Sequence, residues 1–537
     1  MIPLFASLLS LPLPDRYTPV SLTPEKQKQR ILEAPSDWLI KVSQKQPVLL
    51  IVEDLQWVDP STVELLNLLI EREPAYRILI ALIFRPEFNS PWAVRSHIVN
   101  LTLSRLAQKD VKVMIENVTG GKLLPSEVVE QIIVKTDGVP LFVGELTKMI
   151  IESGLLKEGD ERYELTGSLL PFAIPATLQD SLMARLDHLS TVKELAQLGA
   201  TLGKEFSFEL IRAVSSIDEV LLRNELSRLV EAEILYQIDT PSQAKYFFKH
   251  ALIQDTAYQS LLKSKRQQYH HRIAQVLEEQ FTEIAETQPE LLAHHYTEAG
   301  LKEQAVTYWQ KAGQKAVERS ANMEAISHLT KGLELLKTLP DTPERDHKEL
   351  SLQTILGPAL IITRGYAAPE VKETYVRARE LCQKLGETPQ LFPVLTGLWS
   401  FYMIRAQLQV AYELAEQILR LAQSLQDSIS FLLSRQMIGI TMFYLGELTS
   451  ARIYLEQSIS IYYHTEGHRF YALLYNVDRE VDSLSFVTLT LWLVGYPDQA
   501  LKRMNEAIAL AHELNHPYSL AFARLFAARL HHLRQEW

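Results

Sequence analysis

Hydrophobic and polar positions change their rhythm twice along the chain. In residues 1–150, short continuous apolar runs alternate with helical patterns. "PVLLIV" (47–52) and "RILIALIF" (77–84) read as buried strands, and between them the leucines of "STVELLNLLIERE" recur at helical spacing. Strand, helix, strand predicts a parallel pair in an α/β domain. From about 170 to 265 the pattern becomes one of short helices, "ATLQDSLMARLDHL", "VKELAQLGATL", "SFELIRAV" and "DEVLLRNELSRLVEAEIL". The β-like pair "LYQID" and "AKYFFKH" follows, with the turn-forming "DTPSQ" (239–243) between them. Helices followed by a hairpin predict a winged helix in a helical domain over 151–284.

From 285 to 537 nearly every segment is amphipathic helix, and small residues recur at shared offsets. One unit shows Ala293, Tyr296, Gly300, Ala305, Trp309 and Ala312; a second shows Gly439, Gly446, Ala451 and Leu455; a third shows Leu491, Gly495, Ala500 and Ala507. Small residues let paired helices cross closely and a turn glycine accepts a left-handed backbone, so the pattern predicts an α-solenoid of tetratricopeptide-like repeats. Turns at 406, 446 and 495 are spaced 40 and 49 apart, longer than the common 34-residue form. A further step of 40 lands on 535, beside Trp537, and the leucine-rich last helix leads to the expectation that the array is truncated.

Composition narrows the classes. With 47% hydrophobic and 22% charged residues the chain is of globular type, and its 537 residues predict several domains. Its 54 Lys and Arg against 65 Asp and Glu give a net charge of −11, which opposes nucleic-acid or anionic-membrane binding. The winged-helix segment is also balanced, with nine basic and nine acidic residues over 204–266, so no basic stripe points to DNA. A single cysteine, Cys382, forms no internal disulfide and fits a reducing, cytoplasmic setting. The apolar N-terminal run Ile2–Leu13 is broken by Pro3 and Pro12, is too short to span a bilayer, and lacks the flanks of a signal peptide.

The chemistry-bearing candidates cluster upstream. "VLLIVED" has the form of a Walker B strand, apolar because both faces of such a sheet are covered and acidic at its end to hold magnesium. Glu53 is assigned to the metal, and Asp54 to orienting or activating water. Asp59 or Ser61 is expected to cap the helix that begins there. Arg85 ends the second strand in "LIFRPE", on the edge where parallel sheets bind ligands; a solvated arginine paired with Glu87 is the plainer alternative. Gly138 and Pro140 in "KTDGVPLFVGEL" punctuate two helices and can also set backbone against an adenine. His250 sits where a hairpin strand meets a helix, whereas the other histidines, including the pairs His270/His271 and His294/His295, read as solvated or capping. No G-x-x-x-x-G-K-S/T phosphate loop occurs; Gly120, Gly121 and Lys122 are the nearest match and read as a loop.

The ordered set "LLIVEDLQWVDPSTVELL", "ILIALIFRPEF", "TDGVPLFVGELTKMI", "IPATLQDSLMARLD" and "FKHALIQDTAYQSLL", followed by repeats, resembles the ATPase and repeat region of bacterial class III adenylate/guanylate cyclases. These are STAND-class NTPases related to AAA+ proteins. The resemblance implies Walker B at Glu53 and Asp54, with magnesium held there once a P-loop is supplied, sensor 1 at Arg85, a nucleotide-contacting Gly-x-Pro at Gly138 and Pro140, and a diphosphate-reporting histidine at His250. It implies ATP/ADP and Mg2+ as ligands of the complete protein, a repeat domain that receives a protein signal, and a cyclase or other effector. The family's P-loop strand, central in its sheet, is expected upstream of Met1. Without it two neighbouring strands lose backbone partners and a core face stands open. The chain therefore reads as a mainly α, multidomain fragment whose 1–150 segment is a partial P-loop NTPase domain. By itself it is expected to bind nucleotide weakly at best. A nucleotide-independent repeat scaffold is the alternative.

Overall fold

The structure is a computed structural model that describes residues 24–535, apart from 73–74, 93–94, 167–176, 190–191, 240–243, 387–388, 426, 464–477 and 515–516. The apolar run Ile2–Leu13 and most of the 239–243 turn lie outside the described residues. The chain divides into two compact units, one of Met1–Asn89 with Val306–Trp537 and the other of Ser90–Ala305.

The first unit begins with helix α1 (Pro24–Lys45), strand β1 (Val48–Val52), helix α2 (Pro60–Arg72) and strand β2 (Ile78–Leu82). β1 and β2 pair in parallel, Val48 opposite Ile78 through Val52 opposite Leu82, as the strand–helix–strand pattern predicts. Among the described residues the sheet has only these two strands. α1 is clipped to α2 by Lys28–Glu64 at 2.8 Å and by Asp37–Arg72 at 3.0 Å.

The expectation of strands buried on both faces is corrected. Leu49, Ile51 and Leu79 are 54–65% exposed, because they share one face of the pleat and no second layer covers it among the described residues. The ladder sends Val48 N–H to Arg77 O and Ile83 N–H to Val52 O, so Ile78, Ile80 and Leu82 turn their backbone groups away from β1.

The second unit opens with α3 (Gln108–Val118), α4 (Ser126–Thr136) and α5 (Pro140–Glu152), which close around Val111, Ile115, Val128, Ile132, Leu146 and Ile150. A small hairpin, β3 (Leu156–Glu158) with β4 (Tyr163–Leu165), follows. Next come α6 (Leu178–His188), α7 (Lys193–Leu202), β5 (Glu205–Ser207), α8 (Phe208–Ser215), α9 (Glu219–Glu231), β6 (Leu235–Asp239) and β7 (Ala244–Phe248). The expected pair β6–β7 is joined by β5, giving the antiparallel order β5-β7-β6. Phe206, Tyr246 and Phe248 pack its inner face.

Helices α10 (Ala251–Gln259), α11 (Lys263–Gln280), α12 (Thr282–Thr287) and α13 (Pro289–Ala299) complete this unit. Here two histidines read as solvated are instead core. His270 and His295 are each 1% exposed. Tyr258 Oη lies 2.9 Å from His270 Nε2, and His270 Nδ1 lies 2.8 Å from His295 Nδ1. With both imidazoles charged, two N–H donors would face each other across that gap. Burial pushes His270 down to about 4, reinforced by His294 and Arg266, and burial holds His295 well below 6.5. An unfolded chain would take up protons near pH 6.5, so stability is full above that value and is lost as pH falls toward 4. Urea denaturation across this window is expected to show a loss of about 3 kcal/mol from His270 alone, and His270→Phe to flatten the profile.

The remainder of the first unit is a run of helices: α14 (Lys302–Glu318), α15 (Asn322–Leu336), α16 (Pro343–Arg364), α17 (Pro369–Leu385), α18 (Leu391–Ile404), α19 (Leu408–Leu425), α20 (Ser428–Leu445), α21 (Leu448–Tyr463), α22 (Arg479–Leu493), α23 (Pro497–Glu513) and α24 (Pro517–Arg534). From α15 to α24 each helix packs on the next, around one continuous apolar core. Ala406, Gly446 and Gly495 occupy the expected turns with φ of 55°, 86° and 88°, and Gln535 ends α24 with φ of 59°. Glycines let the helices approach: a Cβ at Gly439 would come 2.7 Å from Leu455. The Tyr375 ring of α17 is held between α16 and α18, since a Cβ would meet its Cζ at 2.4 Å from Gly357 and at 2.3 Å from Gly397.

Candidate functional site

The acids of the first unit sit where β1 ends. Asp54 adopts the left-handed region, φ 59° and ψ 36°, a conformation that aspartate tolerates better than most residues. A single helical turn, Leu55–Trp57, then folds the chain over the sheet end, Leu55 N–H donating to Ile83 O at 3.2 Å with its side chain buried. Gln56 ties the two strand ends together. Its Nε2 donates to Asp54 Oδ1 at 3.2 Å, and its Oε1 accepts from Arg85 N–H at 3.3 Å. The Arg85 guanidinium stands 5.3 Å from the centroid of the half-exposed Trp57 ring. Glu53, Asp54 and Arg85 thus converge on the C-terminal edge of a parallel pair, with the Glu53 side chain in solvent.

Capping divides between two chains of contact. Asp59 Oδ1 accepts from Thr62 N–H at 2.8 Å, one of the two expected caps. Ser61 does not cap; its own N–H donates at 2.8 Å to Glu324 Oε1 on α15. Neither Gln56 nor Glu324 was legible as a participant. "EDLQW" offers only a polar residue in an apolar context, and Glu324 is remote in sequence.

Gly138, Pro140 and His250 belong to the second unit. Asp137 and Gly138 are both left-handed, φ 48° and 70°, and Pro140 opens α5. Gly138 O accepts from Leu106 N–H at 2.8 Å, and a Cβ at Gly138 would lie 2.3 Å from Leu106 O. Only glycine fits that turn. Asp137 also pairs with Arg105, so the Gly-x-Pro element is fixed to the segment ahead of α3. The near-match Gly120–Lys122 is a turn whose lysine is bound by Glu158.

His250 precedes α10 and is half-buried; burial lowers its basicity, while Glu145 on α5 works in the opposite direction. Around it lies a charge network. Glu145 is 8% exposed and pairs with Arg185 of α6, which also donates to Ala232 O. Glu233, left-handed at φ 54°, takes Lys148 from α5 and Lys249 from the end of β7, and these lysines hold its carboxyl at about 2. The helix that carries Pro140 is thereby joined to the three-stranded sheet.

No family model matches the chain. An uncharacterised protein of Rhizobium meliloti (strain 1021) is 27% identical over 508 residues, covering 93% of this chain and 48% of the relative, so the chain spans about half the length of the curated relative it matches. Among solved structures, a STAND protein with a tetratricopeptide repeat sensor from Pyrococcus horikoshii is 12% identical, covering 95% of this chain and 81% of that one, with a TM-score of 0.34. A Rap protein complexed with Competence and Sporulation Factor is 13% identical, covering 66% and 83%, with a TM-score of 0.35. At these scores the functional reading rests on this chain's own residues. Among the described residues no helix is long and apolar enough to cross a membrane.

Proposed function

We propose that this chain is the regulatory nucleotide-switch module of a bacterial STAND-type signalling protein, coupled through its repeats to a protein partner and governing a cyclase or comparable effector in the cytoplasm. The observation that carries the reading is that Glu53, Asp54 and Arg85 stand at the same C-terminal end of the parallel pair, where Gln56 bridges the Asp54 side chain and the Arg85 amide; in parallel sheets that end commonly takes the ligand. Among the described residues no cluster of three or more His, Cys, Asp or Glu encloses a metal. Magnesium needs none, since it takes one or two carboxylates and completes its shell with phosphate and water, which suits Glu53 and Asp54. Bound there, it would neutralise phosphate charge. Arg85 would meet the terminal phosphate.

A glycine-rich phosphate loop is what this sequence does not supply. The outward backbone groups of Ile78, Ile80 and Leu82 offer a pairing edge for the strand that would carry one. Calorimetry with magnesium-ATP is expected to show no binding tighter than about 1 mM for this chain, and at least about tenfold tighter binding once a strand bearing G-x-x-x-x-G-K-S/T is supplied. Glu53→Gln with Asp54→Asn should then remove the magnesium dependence. Tight binding by the chain unaided, or complemented binding indifferent to both acids, would sink the proposal. The second reading, a nucleotide-independent repeat scaffold, is favoured by the continuous core of α15–α24, which involves neither acid. It requires that partner binding be unchanged by the same two substitutions.

A further inference from the structure

One face of the β1–β2 sheet lacks a layer among the described residues. Leu49 and Ile51 on β1, Leu79 on β2 and Ile83 just beyond it are 48–65% exposed, and the alternation of the pleat puts them with Ala81 on one side. On the other side Val48, Leu50, Ile78 and Ile80 are buried or part-buried, with α1 packed on β1. No charged side chain stands among the five positions of the bare face, so it is an apolar surface left in water.

The chain carries a segment of matching chemistry. Ahead of α1, residues 1–14 contain no charge, the first being Asp15, and eight of the twelve residues of Ile2–Leu13 are apolar. An uncharged run suits this face, whereas a charged partner would lose hydration there without a counter-charge. Ten residues, Pro14–Thr23, separate the run from Pro24, and an extended chain of that length reaches about 33–36 Å. α1, with 22 residues, is itself about 33 Å long and ends two residues before β1, so the tether is long enough to return from the start of α1 to the sheet. A flexible tether this short holds the run near the face at about millimolar effective concentration, which favours it over a second molecule present at micromolar level.

We propose that Ile2–Leu13 returns as an intramolecular cover on the face of Leu49, Ile51, Leu79 and Ile83. The cover involves neither Glu53 nor Asp54 and stands whether or not the nucleotide reading does. Disulfide trapping on the full chain tests it, because the only native cysteine, Cys382, is 2% exposed. Under mild oxidation, Leu9→Cys with Leu79→Cys should close an intramolecular bridge at least about tenfold faster than Leu9→Cys with Val134→Cys, a position 77% exposed in the other unit. Dye binding gives a second reading. Deleting Ile2–Leu13 should raise the fluorescence of added 8-anilinonaphthalene-1-sulfonate, which reports exposed apolar surface, at least about twofold, and Leu79→Asp in the deleted chain should remove the gain. Equal bridging rates for the two cysteine pairs overturn the cover. So does a bridge that forms between molecules and quickens with protein concentration, which would make a second copy the occupant, and so does dye fluorescence unchanged by the deletion.

Discussion

Arg185→Ala is expected to destabilise the Ser90–Ala305 unit by about 3–5 kcal/mol, because it strands a buried carboxylate. Glu145 is 8% exposed and Arg185 is its ion-pair partner, so deleting the guanidinium leaves a charge that must be protonated or dragged toward water. The same deletion removes the donor to Ala232 O. Urea denaturation of the single variant measures the cost. Glu145→Met with Arg185→Met should recover much of it, since a buried pair replaced by apolar groups of similar size is often neutral, although the Ala232 carbonyl stays unserved. A loss below about 1 kcal/mol for Arg185→Ala would mean that the pair is solvated in solution.

Tyr375→Ala is expected to cost a similar amount, about 3–5 kcal/mol, for a different reason. The ring is 3% exposed and fills the space between Gly357 on α16 and Gly397 on α18, so its loss opens a cavity shared by three helices. The converse variants, Gly357→Ala and Gly397→Ala, overfill the same space and should each cost about 1–3 kcal/mol. Combining either with Tyr375→Ala should give less than the sum, and a double-mutant cycle by thermal denaturation reads that coupling. Strict additivity would remove the ring from its place between the glycines.

Periodicity made the repeat helices, the parallel pair and the β6–β7 hairpin legible, because each is written locally in the spacing of apolar residues. The turn residues 406, 446 and 495 were legible for the same reason. Short strands β3, β4 and β5 were not, since three residues give no period to count. His270 and His295 were misjudged as solvated: each lies on a helix whose buried face is defined only by what packs on it, and the relay to Tyr258 is a tertiary fact. In the candidate site the strand ends point to Glu53, Asp54 and Arg85 as candidates, while the contacts of Gln56 and Glu324 depend on where separate segments meet.

The bare face of Leu49, Ile51 and Leu79 makes the order of assembly matter. An apolar sheet face with an unpaired edge attracts any strand that arrives, including that of another molecule. Among the described residues that face stands uncovered, so association between molecules through it would depend on concentration and time rather than on stability alone.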